Sequence, residues 1–408
     1  MFCARERFPE ALYQRASAGP GLPRVADIGP SNHVTSIELL VVLLMMIMAV
    51  PDLCSWIGRP ALAYPVFVCF GLIVGPLIRP EVSGMVREAG EIGFVLLLFE
   101  VGLEIDLPIW RQLKRPALFA VKWIVPQYPL LVALALYSGL GWLESFIAAA
   151  ALSACSLGMA HAAWKYYPGL DEQTRPFVLN VMVLLEVVAV VLLAVETSVL
   201  GTGPSWYFVA KLAGMALVVY TCSRISVHIT SLLQTALERA TRWRLHFVAL
   251  LVLAVCAIGE RLGLSAPKTA FFLGLFSSRV RHDGRSLEDY LAPISKRLLI
   301  PLFFTSLGSQ LPLADLFTVS ALFGVFSAVA ILVFRHYLHR SFAPTGGDAN
   351  AYLLLCPNFT LVALAASSLL AQPDGGVLTA WLLVTGLLVT LYSIGTLPAA
   401  KADGPSLA

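Results

Sequence analysis

The residues of this chain best suited to chemistry are acidic residues inside long apolar stretches. Glu186 lies in the middle of one stretch with no charged residue within one helical turn, and Glu100 lies in another that ends with Glu104 and Asp106. An apolar environment favours the uncharged form of a carboxyl group. Acidic residues at membrane depth usually face a bundle interior or an aqueous cavity and belong to ion or proton pathways. We therefore expect Glu186 to alternate between a protonated and a cation-bound state.

Simpler interpretations of these acids remain open. Glu186 would also be explained as a permanently protonated carboxyl packed between helices, and Glu104 and Asp106 as interfacial acids at a helix end. The charged residues that we expect to support an ion site are Glu100, Glu104, Lys268 and Lys296.

Small and polar residues interrupt two other apolar segments. The first interruption contains Ser153, Cys155, Ser156 and Gly158, the second contains Pro357, Asn358 and Thr360, and a further segment contributes Thr305 and Ser306. Pro357 lacks a backbone donor and breaks a helical ladder, whereas serine hydroxyls can bond freed backbone groups. Broken helices at corresponding positions of two halves indicate an ion site near the bilayer midplane. Close helix packing at small residues is the alternative for the first interruption.

The composition indicates a polytopic membrane protein. Of the 408 residues, 58% are hydrophobic and 13% are charged, about half the charged share of a soluble domain. The net charge of +3 gives no reason to expect nucleic acid as a partner. The seven cysteines show no CxxC pair and no metal-ligand spacing, so we expect neither a metal nor a cofactor. The apolar segments contain no metal triad and no Ser/His or Asp-pair arrangement at helical spacing. The sequence therefore gives no reason to expect an enzyme.

Apolar runs of spanning length predict about 13 transmembrane helices. Their ranges are 36–56, 60–78, 87–107, 116–140, 144–166, 176–200, 205–223, 245–262, 265–278, 294–311, 316–334, 350–371 and 377–399. We expect a polar extension over 1–35, an exchanger domain over 36–400 and a short tail over 401–408. The domain divides into repeats at about 36–200 and 245–400, joined by a linker helix over 205–223.

Basic residues orient the predicted helices. They follow the odd-numbered helices from the third onward: Arg111, Lys114 and Arg115; Lys165 and Arg175; Arg224, Arg239, Arg242 and Arg244; Arg279, Arg281 and Arg285; Arg335 and Arg340. Connections rich in arginine and lysine face the cytoplasm. This pattern predicts a multi-pass protein of the inner (plasma) membrane with its amino terminus outside and its carboxyl terminus in the cytoplasm.

Three features recur at an offset of roughly 200 positions. The segment at 58–72 resembles 263–275, LLFEVGL (97–103) resembles LFFTSLG (302–308), and the interruption at 153–158 corresponds to CPNFT (356–360). The members of each pair are separated by an odd number of predicted helices, so they cross the membrane in opposite directions. Such an inverted repeat is typical of secondary transporters.

Several short sequence motifs, in the same order along the chain, resemble those of the membrane domain of Kef-type monovalent cation/proton antiporters, of the cation:proton antiporter-2 branch. These motifs are LFEVGLEID (98–106), GRP (58–60) with GLIVGP (71–76), ERLGLS (260–265) with AFFLG (270–274), and PLFFTSLG (301–308). The resemblance extends over residues 40–399. It implies an all-α membrane protein with an inverted-repeat antiporter fold, in which two interrupted helices cross, and a homodimer in the lipid bilayer. It also implies exchange of Na⁺ or K⁺ for protons by alternating access.

The departures from this family lie at the ion site. The family carries a Gln-Asp, Glu-Asp or Asn-Asp pair in its sixth helix, where this chain has Leu185-Glu186, or Glu186-Val187 if shifted by one. Its frequent Gly-Gly-Glu-Phe is replaced by CPNF (356–359). The alternative function is therefore a non-transporting sensor or partner subunit built on a degenerated antiporter scaffold.

The tenth predicted helix bears on charge movement. Electrogenic relatives of the family carry a lysine partway along it, but residues 300–308 of this chain contain no ionisable group. Lys296 lies about 13 Å before Thr305 along a helix. With Glu186 as the single central carboxylate, the sequence predicts electroneutral exchange of one proton for one monovalent cation.

Overall fold

α-Helices account for most of the chain that the structure, a computed structural model, describes. The described residues are 36–78, 80–104, 110–172, 174–202, 244–261, 266–278, 281–282, 285–287, 295–342, 350–370 and 375–398, with 291, 348 and 372. The predicted extension (1–35), linker helix (205–223) and tail (401–408) lie outside them.

The described residues form helices joined by short segments. In chain order the α-helices are α1 (Ser36–Trp56), α2 (Ala63–Val74), α3 (Pro80–Glu104), α4 (Trp110–Tyr137), α5 (Trp142–Ser153), α6 (Leu157–Tyr166), α7 (Thr174–Thr202), α8 (Arg244–Arg261), α9 (Ala266–Ser277), α10 (Ile300–Ser309), α11 (Val319–Phe342), α12 (Phe359–Leu370) and α13 (Gly375–Thr396). 3₁₀ helices occupy Pro60–Leu62, Gly75–Leu77, Leu313–Phe317 and Ala351–Leu355, and a π-helical turn occupies Ser295–Leu299. A small antiparallel pair joins β1 (Arg281–His282) to β2 (Arg285–Ser286), with Arg281 opposite Ser286.

Seven helical spans within the described residues are long and apolar enough to cross a membrane. They are Pro60–Leu77, Lys114–Tyr137, Trp142–His161, Thr174–Glu196, Val319–Phe342, Ala351–Leu370 and Gly375–Thr396. Helices suit this environment because each backbone group is bonded within its own segment, away from lipid. Every predicted helix except the seventh, which lies outside the described residues, coincides with helical structure. The eleventh was predicted to end at residue 334, but α11 continues to Phe342.

The helices form two groups that pack mainly within themselves. We call α1–α3 with α8–α10 the scaffold group, and α4–α7 with α11–α13 the core group. In the scaffold group α3 packs on α9 and α10, and α2 packs on α10. In the core group α5 packs on α4, α7 and α12, and α13 packs on α11 and α12.

Glycines allow the scaffold helices to touch backbone to backbone. A Cβ atom added at Gly71 of α2 or Gly308 of α10 would lie 2.1 or 2.2 Å from a main-chain oxygen of the facing helix. At Gly102 of α3 and Gly274 of α9 the corresponding distances are 2.3 and 2.1 Å. Small residues permit this approach between membrane helices. The predicted repeat pairs α2 with α9 and α3 with α10. It therefore makes the contact between α2 and α10 equivalent to the contact between α9 and α3, so the predicted inverted repeat is also visible in the helix packing.

We predict that Gly308→Ala destabilises the protein by about 1–3 kcal/mol, because the new methyl group has to displace the backbone of α2. The measurement is thermal unfolding of the purified protein in detergent. The matched control is Gly84→Ala on α3, where an added Cβ meets nothing within 4 Å. Equal melting temperatures for the two variants would contradict the close contact of α2 with α10.

Candidate ion-binding site

Two helices of the core group are interrupted where they pass each other. The segment predicted as one helix over 144–166 is divided into α5 and α6, and Ala154 and Ser156 between them have extended backbone (φ −70°, ψ 165° and φ −89°, ψ 113°). The segment predicted over 350–371 begins as a 3₁₀ helix, is non-helical over 356–358 and continues as α12. Both predicted interruptions are confirmed. Gly158 is not at the break: it is the second residue of α6, because the helix restarts at Leu157.

The two interruptions bond directly to each other. The N–H of Ser156 donates to the carbonyl oxygen of Pro357 at 2.6 Å. The hydroxyl of Ser156 donates to Thr360 Oγ1 at 3.2 Å. A break at membrane depth leaves backbone groups that water does not solvate, so each has to find a partner in the protein. We call this meeting of segments 154–156 and 356–358 the crossing.

Further bonds hold the crossing from both sides. Asn358 Nδ2 donates to the carbonyl oxygen of Leu152 at 2.8 Å, and the N–H of Asn358 donates to Thr390 Oγ1 of α13 at 3.3 Å. Cys155 Sγ lies 3.4 Å from the carbonyl oxygen of Leu354. Both Asn358 and Cys155 are fully buried. The predicted residues of the two interruptions are therefore brought together, except Ser153, whose hydroxyl bonds Ala150 of its own helix.

Glu186 reaches the crossing from α7. Its side chain is fully buried, and Oε2 accepts a hydrogen bond from the N–H of Leu157 at 3.0 Å. Leu157 is the first residue of α6, where N–H groups have no partner within the helix and the helix dipole is positive. An anionic carboxylate is stabilised at such a position. The acid singled out from the sequence thus lies beside the break in α5–α6, one residue from Ser156.

A second buried charge at the crossing was missed by the sequence analysis. Arg335 of α11, predicted to lie in a cytoplasmic connection, is fully buried. Its Nε donates to Gln127 Oε1 at 2.8 Å, and Nη2 donates to the carbonyl oxygen of Leu152 at the end of α5. A cation is favoured at a helix carboxyl terminus. Arg335 thus lies at the carboxyl end of α5 and Glu186 at the amino end of α6, on the two sides of one break.

A longer eleventh helix was the signal that would have revealed this arginine. The predicted span ends at residue 334, because Arg335 was assigned to the connection that follows it. In the structure α11 continues for two more turns to Phe342. The positive-inside pattern therefore included a residue that lies within α11 and not in the connection after it.

Other predicted site residues lie in the scaffold group. Thr305 and Ser306 of α10 are buried, and Ser306 Oγ accepts a bond from Gln310 Nε2 at 3.3 Å. Thr305 Oγ1 has no hydrogen-bond partner among the described residues. No hydrogen bond of the described chain joins either residue to the crossing; Phe304 of α10 stacks on Phe359 of α12 instead, with 6.1 Å between ring centroids.

Two of the four predicted supporting charges, Glu100 and Lys296, have side chains that the structure describes. Glu100 is buried in α3 and accepts a hydrogen bond from Ser295, at the start of the π-helical turn. Lys296 is half-buried in that turn. Glu104 ends α3 and Lys268 lies in α9, but both side chains are outside the described part of the structure.

Comparisons with known proteins place the chain in a family. The sequence model described as "Sodium/hydrogen exchanger, transmembrane" matches residues 39–395. The chain belongs to this exchanger family. Its backbone matches the sodium proton antiporter MjNhaP1 from Methanocaldococcus jannaschii with a TM-score of 0.64 and 12% identity, over 90% of this chain and 95% of that one. The predicted fold class, an all-α polytopic membrane protein with the inverted-repeat antiporter fold, is confirmed.

Curated relatives of this exchanger chain include transporters of two named kinds. It is 25% identical, over 67% of its length, to the probable Na⁺/H⁺ antiporter GerT of Bacillus cereus and spans 73% of that protein. It is 28% identical, over 64% of its length, to the glutathione-regulated potassium-efflux system protein KefC of Klebsiella pneumoniae, and spans 45% of it. The prediction of a cation/proton antiporter rather than an enzyme is confirmed by the family. A non-transporting sensor or subunit is not favoured.

We predict that Arg335→Met destabilises this exchanger by about 3 kcal/mol, since it leaves the buried Gln127 side chain and the carbonyl oxygen of Leu152 without their guanidinium donor. Thermal unfolding in detergent is the measurement. Arg340→Met is the matched control, because Arg340 is exposed on the same helix. A melting temperature of Arg335→Met equal to that of Arg340→Met would show that the buried guanidinium does not stabilise the crossing.

Proposed function

We propose that the crossing is the exchange site and that Glu186 is the group that a proton and a monovalent cation occupy in turn. The observation that supports this most strongly is the hydrogen bond from the N–H of Leu157 to a fully buried carboxylate, at the point where α5–α6 is broken. An intramembrane acid beside a broken helix combines the two features expected of a transporter's ion site.

Neutral oxygens beside Glu186 supply the remaining cation ligands in this proposal. Ser156 Oγ and Thr360 Oγ1 lie 3.2 Å apart on the two interrupted segments. Hard monovalent cations are bound by carboxylate, carbonyl and hydroxyl oxygens. The proposed site therefore consists of Glu186, Ser156 and Thr360, with Cys155, Ser153 and Asn358 shaping the segments that hold them. Thr305 and Ser306 are proposed to line the approach from α10.

Arg335 gives the proposed cycle a fixed charge. A guanidinium stays protonated in proteins, so Arg335 compensates a carboxylate without releasing a proton of its own. Glu186 then carries either one proton or one monovalent cation each time the site changes the side of the membrane that it faces. We infer an electroneutral one-for-one exchange, with Arg335 taking the place of a titratable partner.

The finer assignments are also proposals. The match to KefC together with the motifs at 98–106 and 301–308 supports the Kef-type branch, with Na⁺ or K⁺ as the exchanged cation. The alternation of basic connections supports insertion in the inner (plasma) membrane with the amino terminus outside and the carboxyl terminus in the cytoplasm. We further propose a homodimer, and an exchanger domain over 36–400 whose two repeats are joined by a linker at 205–223.

We predict that Glu186→Gln abolishes proton-coupled Na⁺ and K⁺ flux in proteoliposomes, because an amide neither ionises nor releases a proton. The control is Glu172→Gln, which changes an exposed acid in the same way and should retain the wild-type rate. The wild-type rate should also stay constant as the clamped membrane voltage is varied. A steep voltage dependence would reject electroneutrality, and undiminished flux through Glu186→Gln would remove this residue from the mechanism.

We predict that Ser156→Ala and Thr360→Val each raise the KM for the cation by about fivefold to tenfold, the effect expected of one lost polar contact. Since the two hydroxyls bond each other, the double variant should be less impaired than the product of the single effects. The measurement is initial flux against cation concentration. Ser341→Ala, at an exposed serine, is the control. Unchanged KM values in both single variants would exclude these hydroxyls as ligands.

A further inference from the structure

The loop between α1 and α2 holds an arginine in a defined direction. Gly58 has φ of +74°, and its N–H and that of Arg59 donate to the carbonyl oxygens of Ser55 and Cys54, both at 2.8 Å. This pair of bonds around a left-handed residue is the Schellman motif, which ends a helix and favours glycine. Pro60 then begins the next helical turn, as its fixed φ allows. The GRP motif (58–60) therefore ends one helix, starts another and projects Arg59 between them.

Arg59 bonds the far end of the chain. Its Nη1 donates to the carbonyl oxygen of Ile394, and Nη2 donates to that of Leu397 at 3.3 Å. These oxygens lie in the last turn of α13 and just beyond it, where carbonyl groups lack helical partners and the dipole is negative. A residue of the scaffold group thus caps a helix of the core group, 335 positions later in the sequence.

The two groups are closely packed around this bond. The loop residues Gly58, Arg59 and Ala61 face Met159 and Ala163 of α6, as well as the end of α13, across a gap of about 20 Å³. α6 leads directly from the crossing to this end of the protein. The loop therefore stands between the crossing and the membrane side at which α1 and α13 end.

The opposite end of the same boundary is open. A cavity of about 210 Å³ lies between α3 and α10 of the scaffold group and α12 of the core group. Its lining includes Ser306 and Gln310 on α10 and Ser367 on α12. The polar side chains make it suitable for water and ions. The structure is thus closed at the end where α13 finishes and open at the end where α12 finishes.

We propose that Arg59 is a gate residue: its hydrogen bonds to the end of α13 close the crossing toward one side of the membrane, and the exchange cycle breaks them when that side opens. This inference rests on the proposed function, because alternating access requires the two groups to move relative to each other. An interaction present in one state alone stabilises that state over the other. Loss of the guanidinium should therefore shift the population toward the state in which the cavity at Ser367 is closed.

The test follows the cavity by thiol labelling of the full chain in lipid nanodiscs. Ser367→Cys introduces a half-buried thiol in the cavity wall, and its reaction with a water-soluble maleimide is timed with and without Arg59→Ala. We expect Arg59→Ala to slow the labelling of this thiol by about fivefold to tenfold, as the open population falls. Arg59→Lys keeps one charged donor and should lie between the two. Arg340→Ala removes an exposed arginine and should leave the rate unchanged.

A labelling rate of Ser367→Cys that Arg59→Ala leaves unchanged, or increases, would overturn the gate. The chain without Ser367→Cys reports the native thiols in each background, and faster labelling of Cys256, which is buried in α8 of the scaffold group, would reveal unfolding. In that event Arg59→Lys alone decides, because the gate requires slower labelling in this milder variant as well. Labelling needs no ion flux, so exchange retained by Glu186→Gln would reject the proposed ion site and leave the gate result standing.

Discussion

The structure depends on how backbone groups freed by two broken helices are satisfied inside an apolar core. Lipid and packed side chains offer these groups no water, so a break is stable only where the protein itself supplies partners. Here the segments at 154–156 and 356–358 bond each other through Ser156 and Pro357. Glu186 then accepts from the freed N–H of Leu157, and Arg335 donates to the carbonyl oxygen of Leu152. The partners that stabilise the crossing are therefore also the charges on which the proposed exchange site depends.

The two helix groups divide the mechanical roles of the protein. The scaffold group is held by backbone contacts at Gly71, Gly308, Gly102 and Gly274, which leave no room for sliding without disrupting the packing. The core group is held by hydrogen bonds around the crossing. Few contacts join the groups to each other, so relative motion between them disturbs little of either interior. Rocking of one rigid group against the other is the form of alternating access that this arrangement favours.

The sequence predicted features with local causes and missed those that depend on distant contacts. Pro357 and the serine-rich stretch near Ser156 announce helix breaks by their own backbone chemistry, and Glu186 stands out against its apolar neighbours. Arg335 was assigned to a connection because a charge near the end of an apolar run resembles a topological signal. Arg59 was noted only as part of the GRP motif that resembles the family. Its bonds to α13 were not predicted, since its partners at Ile394 and Leu397 are distant in sequence. The lengths of buried helices and the partners of buried charges are set by tertiary packing, which one sequence does not display.

In the proposed mechanism one carboxylate, Glu186, is shared by the proton and the cation. Cation binding should therefore release a proton, because a shared group has to lose its proton when the cation arrives. The purified protein in weakly buffered detergent is mixed with Na⁺ or K⁺ in the presence of a pH indicator. We expect release of about one proton per chain at saturation, and none from Glu186→Gln. Saturable cation binding without proton release, or equal release from Glu186→Gln, would contradict this mechanism.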